Sequence, residues 1–324
     1  MLTYSVAIRT LGLSPSTLRR TLEGVAQQTL PPDNVVVYIA RGYAIPQFRV
    51  GKEIYVEVDK GMMAQRTLGY KEIDSDVILM LDDDIFIEPD VAARMLTDME
   101  RDGWDLLGAD IFQCHRMSAL TKIRSFITSM VRPHRSRQIA FRQHLSGAFS
   151  YISSPCGRIY PTDTCAGPIM MWRRNQFLSI NPADETWMDT SGFSYGDDTV
   201  LSFKASSNGL KCGVDFRGGL INLDGRTSSD SYRNDPHRFY LRSLLMTRTW
   251  WRMHYKPSGN NHPGSLKALA AGFGRALWLT PVMAAVSIVT LSPAPFIQHH
   301  KGIIDGIRRS RAEDLPPYII KKRP

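Results

Sequence analysis

Three consecutive aspartates, Asp82, Asp83 and Asp84, interrupt an otherwise apolar segment that reads VILMLDDDIFIEPD over residues 77–90. An apolar run that ends abruptly at polar residues is typical of a buried strand, so residues 77–81 are predicted to form one. Adjacent carboxylates repel one another unless positive charge lies between them. The triplet therefore predicts a divalent metal site, because Mg²⁺ and Mn²⁺ take carboxylate oxygens and an Asp-x-Asp at a strand end supplies them.

The residues before the aspartates predict alternating strands and helices. This alternation is typical of an open α/β sheet of the nucleotide-binding type, in which sites lie beyond the carboxyl ends of strands. The three aspartates fall at such an end. The predicted strands are residues 4–9, 35–40 and 54–58, and the predicted helices are residues 16–28 and 61–71.

The overall charge is basic, with 40 Lys and Arg against 31 Asp and Glu in 324 residues. This balance suits an anionic partner but does not choose among nucleic acid, a phosphorylated small molecule and a membrane surface. The four cysteines form no CxxC pair and no zinc-ligand spacing, which indicates reduced thiols in a cytosolic protein. The N-terminus is predicted to be a strand and not a secretory signal.

A second pair of acidic residues, Asp197 and Asp198, lies in GFSYGDDTVLSFKASSNGL at residues 192–210. The pair opens a predicted helix that ends at Gly209. Carboxylates at a helix start are explained by simple interaction with the helix dipole. The alternative is a general base on the wall of a pocket, which this placement allows.

The sequence TDTCAGPIMMWRRNQF at residues 162–177 predicts a compact turn followed by a strand over residues 169–172. Small residues in the turn, Gly167 among them, let a bulky substrate approach the backbone closely.

Residues 111–162 contain no Asp or Glu, and their apolar residues recur at helical spacing from Leu120 to Val131. One interpretation is a helix that faces the core and carries a solvated basic side. The other is a helix lying on an anionic membrane, or a cradle for an anionic acceptor.

Residues 276–300 contain no Lys, Arg, Asp or Glu. Their apolar core, residues 277–291, is about 22 Å long as a helix, which is short of a ~30 Å hydrocarbon layer. The segment predicts a membrane-associated or re-entrant hairpin, a single span if it extends over 276–297, or a helix packed on the protein. Basic residues follow from Lys301 onward, as on a cytoplasmic membrane face.

Taken in order, these segments resemble the inverting GT-A-fold glycosyltransferases of family 2 over roughly residues 4–225. The resemblance implies a Rossmann-like, mixed, mostly parallel sheet flanked by helices, with a C-terminal helical membrane-associating extension. Residues 1–225 are expected to be the catalytic domain, with a nucleotide-sugar half (1–110) and an acceptor half (111–225). Residues 226–324 are expected to be a mobile lid and a helical membrane-associated region.

The resemblance also implies roles for individual residues. KGMMAQRTLGYKEIDSDVILMLDDD resembles the family's donor-binding stretch, CAGPIMMWRR its acceptor-side strand and GDDTVLSFKASSNGL its acidic-pair helix. Asp198 takes the catalytic-base position with Asp197 beside it, although neighbouring carboxylates titrate together and either could be the base. The other implied residues are Thr10, Arg66, Asp82 and Asp83 for the donor, Asp82 and Asp84 for the metal, Gly167, Pro168 and Trp172 on the acceptor side, and Asp224, Arg226 and His237 for a lid.

The sequence departs from the family pattern in three places. The loop IARGYAIP lacks the aspartate that often reads the nucleotide base, so Thr10, Glu57 or Asp59 substitutes. Asn222 stands where the family often has a metal-binding His, which leaves Asp224 or His237 as the third ligand. A Gln-x-x-Arg-Trp motif of processive synthases is absent, and residues 248–252 (RTWWR) are only distantly similar, so transfer of a single sugar is favoured.

The resemblance implies a metal-dependent glycosyltransferase of the hexosyltransferase type that uses Mg²⁺ or Mn²⁺. It would move one sugar from a nucleotide-diphosphate sugar, with UDP-sugar expected, to a saccharide or lipid-linked saccharide in exopolysaccharide or lipopolysaccharide assembly. The expected location is the cytoplasmic face of the inner membrane, with no nucleic-acid partner. The alternatives are a nucleotidyl- or phosphoryltransferase on a similar sheet, for which no P-loop is present, and a non-enzymatic anion-binding module.

Overall fold

The computed structural model describes residues 2–111, 118–134, 136, 138–192, 194–223 and 237–320. Most of its strands belong to one sheet. The strands are β1 (Tyr4–Thr10), β2 (Val35–Ala40), β3 (Ile54–Val58), β4 (Val77–Asp82), β5 (Ile85–Ile87), β6 (Leu106–Ala109), β7 (Arg132–His134), β8 (Phe141–Gln143), β9 (Phe149–Ile152), β10 (Ile159–Pro161), β11 (Ile169–Arg173), β12 (Cys212–Asp215) and β13 (Leu220–Asn222).

Eight strands form the central sheet in the order β10-β12-β6-β11-β4-β1-β2-β3. Strands β1 to β4 are mutually parallel, and β11 runs antiparallel to both β4 and β6. Two small sheets, β13-β5 and β7-β9-β8, lie outside it. This is the mixed, mostly parallel sheet that the sequence predicts, and the strands predicted over residues 4–9, 35–40, 54–58 and 77–81 are confirmed to within a residue.

Helices pack on both faces of this sheet. The described helices are α1 (Pro15–Ala26), α2 (Val91–Asp102), α3 (Ala119–Ser129), α4 (Arg174–Ser179), α5 (Asp197–Ser207), α6 (Arg238–Trp250), α7 (Leu266–Val289) and α8 (Ala294–Ala312), with a 3₁₀ segment at Pro182–Ser191 and a π-helical turn at Trp251–Tyr255. The continuous apolar strands are buried because helices cover them.

The helix predicted over residues 61–71 is wrong, because this segment forms a series of turns. The carboxylate of Asp189 accepts hydrogen bonds from the backbone N–H groups of Met63 (3.0 Å) and Ala64 (2.7 Å). Helical hydrogen bonding is limited to a short stretch, with the N–H groups of Gln65 and Thr67 reaching back four residues. A distant side chain therefore sets the backbone here, and no local sequence pattern records it.

A buried ion pair joins the C-terminal region to the sheet domain, in which Arg252 donates two hydrogen bonds to Glu185 (2.6 and 2.7 Å). Within the C-terminal region, Arg248 of α6 donates two hydrogen bonds to Glu313, which follows α8 (both 2.6 Å). Tyr318 is fully buried and stacks on Phe203 of α5. The arginines of the RTWWR sequence thus hold the structure together, and the division of the chain at residue 225 stays a prediction.

Helix α3 does not face the core, so that interpretation is wrong. Its apolar residues Leu120 and Ile123 are 76% and 57% exposed. It adjoins α7, where Trp278 contacts the ring of Phe126 (5.7 Å between centroids) and donates a hydrogen bond to the carbonyl of Ile127 (3.2 Å). The apolar face of α3 that contains Leu120 and Ile123 is therefore largely exposed in the folded protein.

Helices α7 and α8 form a hairpin with an apolar tip. Within the described residues, α7 is the one helix long and apolar enough to cross a membrane, and little of it is buried. At the tip, Ile288, Val289 and Leu291 are 74%, 83% and 93% exposed. A hairpin is one of the three arrangements that the sequence left open for this segment.

Candidate active site

The centre of the candidate site is an arginine that the sequence analysis missed. Arg9 is the penultimate residue of β1, and Asp82 is the last residue of β4; the two are direct partners in the parallel ladder. Arg9 donates hydrogen bonds from Nε to Oδ1 of Asp82 (2.7 Å) and from Nη2 to Oδ2 (3.3 Å). Its Nη1 also donates to the carbonyl of Met62 and to Asp197 (3.1 Å). A single arginine in the apolar strand YSVAIRT is the signal that could have identified it.

Arg66 is not available for the predicted contact with the donor, because only 3% of it is exposed. Its Nη1 donates to the carbonyl of Gly167 (3.0 Å), and its guanidinium pairs with Asp82 (3.4 Å) and Asp197 (3.1 Å). Arg66 therefore lies beneath the site and links three of the predicted site segments to one another.

Gly167 has a different role from the one predicted. A Cβ at this position would lie 2.8 Å from Nη2 of Arg66 and 2.9 Å from Cβ of Asp198. The residue is small because an arginine and an aspartate of the protein itself approach it, and not because a substrate does. Its neighbour Pro168 accepts a hydrogen bond from the N–H of Asp82 (3.0 Å), which fixes the start of β11 against the end of β4.

The prediction that Trp172 contacts the acceptor is wrong. Its side chain is fully buried and packs against Phe177, with 5.1 Å between ring centroids. In the antiparallel ladder it lies opposite Ile78, near the amino end of β4 and therefore away from Asp82. The CAGPIMMWRR segment does reach the site, but only through its first residues.

The two acidic residues that open α5 have different environments. Asp197 is held by both arginines, with Oδ2 at 3.1 Å from Nη1 of Arg9 and 3.1 Å from Nε of Arg66. Asp198 accepts hydrogen bonds from the backbone N–H of Gly167 (2.8 Å) and of Thr199 (2.7 Å). Burial raises the pKa of Asp198, and the charge of Asp197 acts in the same direction, although Arg66 and the two N–H groups oppose it.

Asp198 lines a cavity of about 530 Å³. The cavity lies between the start of α5, the small sheet β7-β9-β8 and the helices α3, α6 and α7. Most of its wall is apolar, including Phe141, Phe149 and Met246, so a group bound there would be shielded from water. A raised pKa makes a carboxylate a stronger proton acceptor, as a general base requires.

The other two aspartates of the triplet lie in the turn between β4 and β5. Thr10 donates its hydroxyl hydrogen bond to Asp83. The pKa of Asp83 is raised to about 6, chiefly by burial and also by the charges of Asp82 and Asp84, while Thr10 and Arg9 act in the opposite direction. The pKa of Asp82 is lowered, since Arg9 and Arg66 outweigh the effect of its burial.

No group of three or more His, Cys, Asp or Glu side chains in the described part of the chain is arranged to hold a metal ion. The donor chemistry nevertheless fits a divalent cation. Carboxylate oxygens are the ligands that Mg²⁺ and Mn²⁺ take, and the three consecutive aspartates place several of them at the end of β4. Because both oxygens of Asp82 accept hydrogen bonds from Arg9, Asp83 and Asp84 fit this role better than the predicted Asp82.

Strand β13 lies beside the same turn and contains Asn222, which stands where the family often has a metal-binding His. Asn222 is paired with Ile85 in the antiparallel ladder, and the N–H of Leu223 donates to the carbonyl of Asp84 (2.8 Å). The predicted lid residues Asp224 and Arg226 lie outside the described residues. His237 stacks on Tyr240 at the start of α6 (4.8 Å between centroids), and its part in a metal site stays a prediction.

Thr10, Glu57 and Asp59 are the residues predicted to replace the aspartate that reads the nucleotide base. They lie at or near the carboxyl ends of β1 and β3. Asp59 follows β3 and forms an exposed ion pair with Arg41 (3.4 Å). Glu57 lies in β3, which is the last strand on that side. Thr10 is close to the triplet, and its carbonyl accepts a hydrogen bond from Gln65 (3.1 Å). A contact of these residues with a nucleotide base stays a prediction.

Comparison with protein families and known structures identifies this fold. Residues 5–154 match the family model described as Glycosyl transferase family 2. Residues 5–154 are thus assigned to a family 2 glycosyltransferase domain. A search of curated proteins by sequence gave no match.

The glycosyltransferase domain has the GT-A fold. The protein in the crystal structure of GalNAc-T7 with UDP, GalNAc and Mn²⁺ is 13% identical, with a TM-score of 0.50 over 91% of this chain and 59% of that one. This chain thus spans about three fifths of the length of that protein. The mannosyltransferase PcManGT from Pyrobaculum calidifontis, in complex with GDP-Man and Mn²⁺, is 9% identical with a TM-score of 0.49, over 95% of this chain and 87% of that one.

Proposed function

We propose that the protein transfers one sugar from a nucleotide-diphosphate sugar, with a UDP-sugar as the expected donor, to an acceptor hydroxyl bound in the 530 Å³ cavity, with inversion at the anomeric carbon. The observation that carries this proposal is the position of Asp198. It lies on the cavity wall, its pKa is raised, and Gly167 connects it to the edge of the sheet where the aspartate triplet begins. In the proposed site, Asp198 is therefore the proton acceptor, and the nucleotide binds at the nearby aspartate triplet.

Asp198 would remove the proton from the acceptor hydroxyl. The hydroxyl oxygen forms a bond to the anomeric carbon while the bond from that carbon to the phosphate oxygen breaks on the opposite face. The leaving electron pair goes to the nucleoside diphosphate, and the proton goes to Asp198. Asp198 suits this role better than Asp197, because two arginines already bind Asp197.

A divalent cation, Mg²⁺ or Mn²⁺, would neutralise the charge that develops on the departing diphosphate. Asp84 and Asp83 are the residues that we propose to hold it. Arg9 and Arg66 do not reach the donor in this proposal. They fix Asp82 and Asp197, so that the end of β4 and the start of α5 keep their separation during the reaction.

The acceptor is proposed to be a lipid-linked saccharide, with the protein bound to the cytoplasmic face of the inner membrane. Ser125 and Ser129 of α3 line the cavity, while Leu120 and Ile123 of the same helix are exposed. One helix thus separates the cavity from an apolar surface that continues onto α7 at Trp278. Exposed apolar residues with nearby basic side chains are typical of interfacial membrane binding.

The products distinguish this function from the alternative of nucleotidyl transfer. Phosphorus-31 NMR of the full chain with UDP-sugars and Mn²⁺, in a membrane extract that supplies the acceptor, is expected to show release of a nucleoside diphosphate. Release of pyrophosphate would indicate a nucleotidyltransferase. Asp198→Asn is expected to abolish the release, whereas Asp74→Asn, a substitution of an exposed aspartate to which no role in the site is assigned, is expected to retain it.

A further inference from the structure

Two arginines on the wall of the cavity have no anionic partner among the described residues. Arg275 of α7 is 7% exposed, and it donates to the carbonyl of Ser146 (3.1 Å) and weakly to the sulfur of Met246 (3.8 Å). Arg242 of α6 donates to the hydroxyl of Ser129 (2.8 Å) and lies over the ring of Tyr195. Within the part of the chain that the structure describes, neither guanidinium is within 4.0 Å of a carboxylate.

The other buried arginines of the described chain, Arg66, Arg248 and Arg252, are paired with acids, as is the partly buried Arg9. Arg9 and Arg66 bind Asp82 and Asp197, Arg248 binds Glu313, and Arg252 binds Glu185. A buried charge without a partner is costly, and the charges of Arg242 and Arg275 repel each other as well. Two arginines that lack an acid and face one largely apolar cavity therefore indicate that an anionic ligand completes the site.

We propose that Arg242 and Arg275 bind a phosphate group of the lipid-linked acceptor, an inference that rests on the proposed function. Guanidinium groups bind phosphate oxygens with paired, charge-assisted hydrogen bonds. Tyr195, which contacts Arg242, is two residues from Asp197, so the arginine site is adjacent to the acidic pair. The acceptor sugar then lies at Asp198, its phosphate at the arginines, and its lipid towards the apolar surface of α3 and α7.

We expect the phosphates of the nucleotide-sugar donor to bind outside this cavity. The residues that line the cavity in the described chain include Asp197 and Asp198 but none of the three aspartates of the triplet. The donor site at the end of β4 and the arginine pair on α6 and α7 are therefore two distinct anion sites, and they can be tested separately.

The test is calorimetric titration of the full chain with octyl phosphate below its micellar concentration. Octyl glucoside serves as the neutral probe with the same alkyl chain, and inorganic phosphate as the probe without one. Octyl phosphate is expected to bind at least tenfold more tightly than either. Arg242→Gln and Arg275→Gln are each expected to weaken it at least tenfold, and Arg124→Gln, an exposed arginine of α3 outside the cavity, to leave it unchanged.

Equal binding of octyl phosphate to wild type and to both variants would overturn the proposal. So would its displacement by UDP with Mn²⁺, which would assign the arginines to the donor, and binding of inorganic phosphate as tight as that of octyl phosphate. Arg275→Lys provides a second variant should a glutamine variant not fold, and weaker binding is again expected because lysine lacks the paired donors. If octyl phosphate binds through both arginines while no nucleotide binds at all, the phosphate site stands and the proposed function fails.

Discussion

Arg9 and Asp82 form an ion pair with two hydrogen bonds, of 2.7 and 3.3 Å, across the neighbouring strands β1 and β4. Together with Arg66, this pair brings the ends of three segments that are far apart in sequence to one place: the DDD triplet, the CAGP turn and the start of α5. Three positions of predicted catalytic importance thus depend on two arginines that do not themselves face the cavity.

Replacing Arg9 tests this dependence. Arg9→Gln leaves the carboxylates of Asp82 and Asp197 without one of their cations, and breaking a largely buried ion pair costs about 3 kcal/mol. We expect a marked fall in the melting temperature. Arg41→Gln is the matched control, since the pair of Arg41 with Asp59 is exposed and contributes less than about 1 kcal/mol. Equal stability of the two variants would contradict this account.

The close approach at Gly167 gives a second prediction. In Gly167→Ala the added methyl group would displace Arg66 or Asp198, both of which are enclosed, and overpacking of this kind costs about 1–3 kcal/mol. Thermal unfolding is expected to show this loss, and activity is expected to fall further because Asp198 moves. Gly69→Ala is the control, since no atom of the described residues lies within 4 Å of the point that its added methyl group would occupy. Similar melting temperatures and activities for both variants would show that the approach is not critical.

The raised pKa of Asp198 predicts the acid limb of the pH profile. A base must be ionised to act, so kcat/KM is expected to fall as the pH drops through a value above the ordinary aspartate pKa of about 3.9. The same shift means that ionising Asp198 lowers folding stability as the pH rises between its unfolded and folded pKa values. A profile that stays flat down to about pH 4 would exclude Asp198 as the base.

Five of the thirteen strands in the described chain, β1 to β4 and β11, could be predicted from the sequence because they depend on local pattern. Continuous apolar runs identified β1, β2 and β4, and the acidic pair Asp197 and Asp198 with the following residues identified the start of α5. The conformation of residues 61–71 depends on Asp189, more than 120 residues away, and the partners of Arg9 depend on strand order. Neither could be read from neighbouring residues.

The exposure of α3 was also beyond the sequence, because the same apolar spacing suits a core helix and an interfacial one. Burial of Trp172 was missed for a related reason: the alternation of a strand gives its faces but does not say how far each residue lies from the site. The wall of the cavity comes from α3, α6 and α7 as well as from the sheet domain, and this combination is a tertiary feature.

The apolar tip of the α7-α8 hairpin predicts binding to membranes. Leu291→Asp is expected to reduce co-sedimentation with vesicles of anionic phospholipid about tenfold or more, since burying one leucine contributes about 1.5–3 kcal/mol. Leu13→Asp serves as the control, because Leu13 is also exposed (55%) but follows β1 at the other end of the chain. Equal loss in both variants, or no binding by wild type, would contradict interfacial binding through this tip.

The central claim, a nucleotide-diphosphate site that depends on the aspartate triplet, is tested most directly by thermal shift. The full chain is heated with UDP, GDP, CMP and TDP, each with and without Mn²⁺, as wild type, Asp84→Asn and the control Asp90→Asn, an exposed aspartate after β5. Ligands that bind the native state raise its melting temperature. We predict a rise that requires one diphosphate together with Mn²⁺, persists in Asp90→Asn and is lost in Asp84→Asn; no rise with any nucleotide in wild type would contradict the claim.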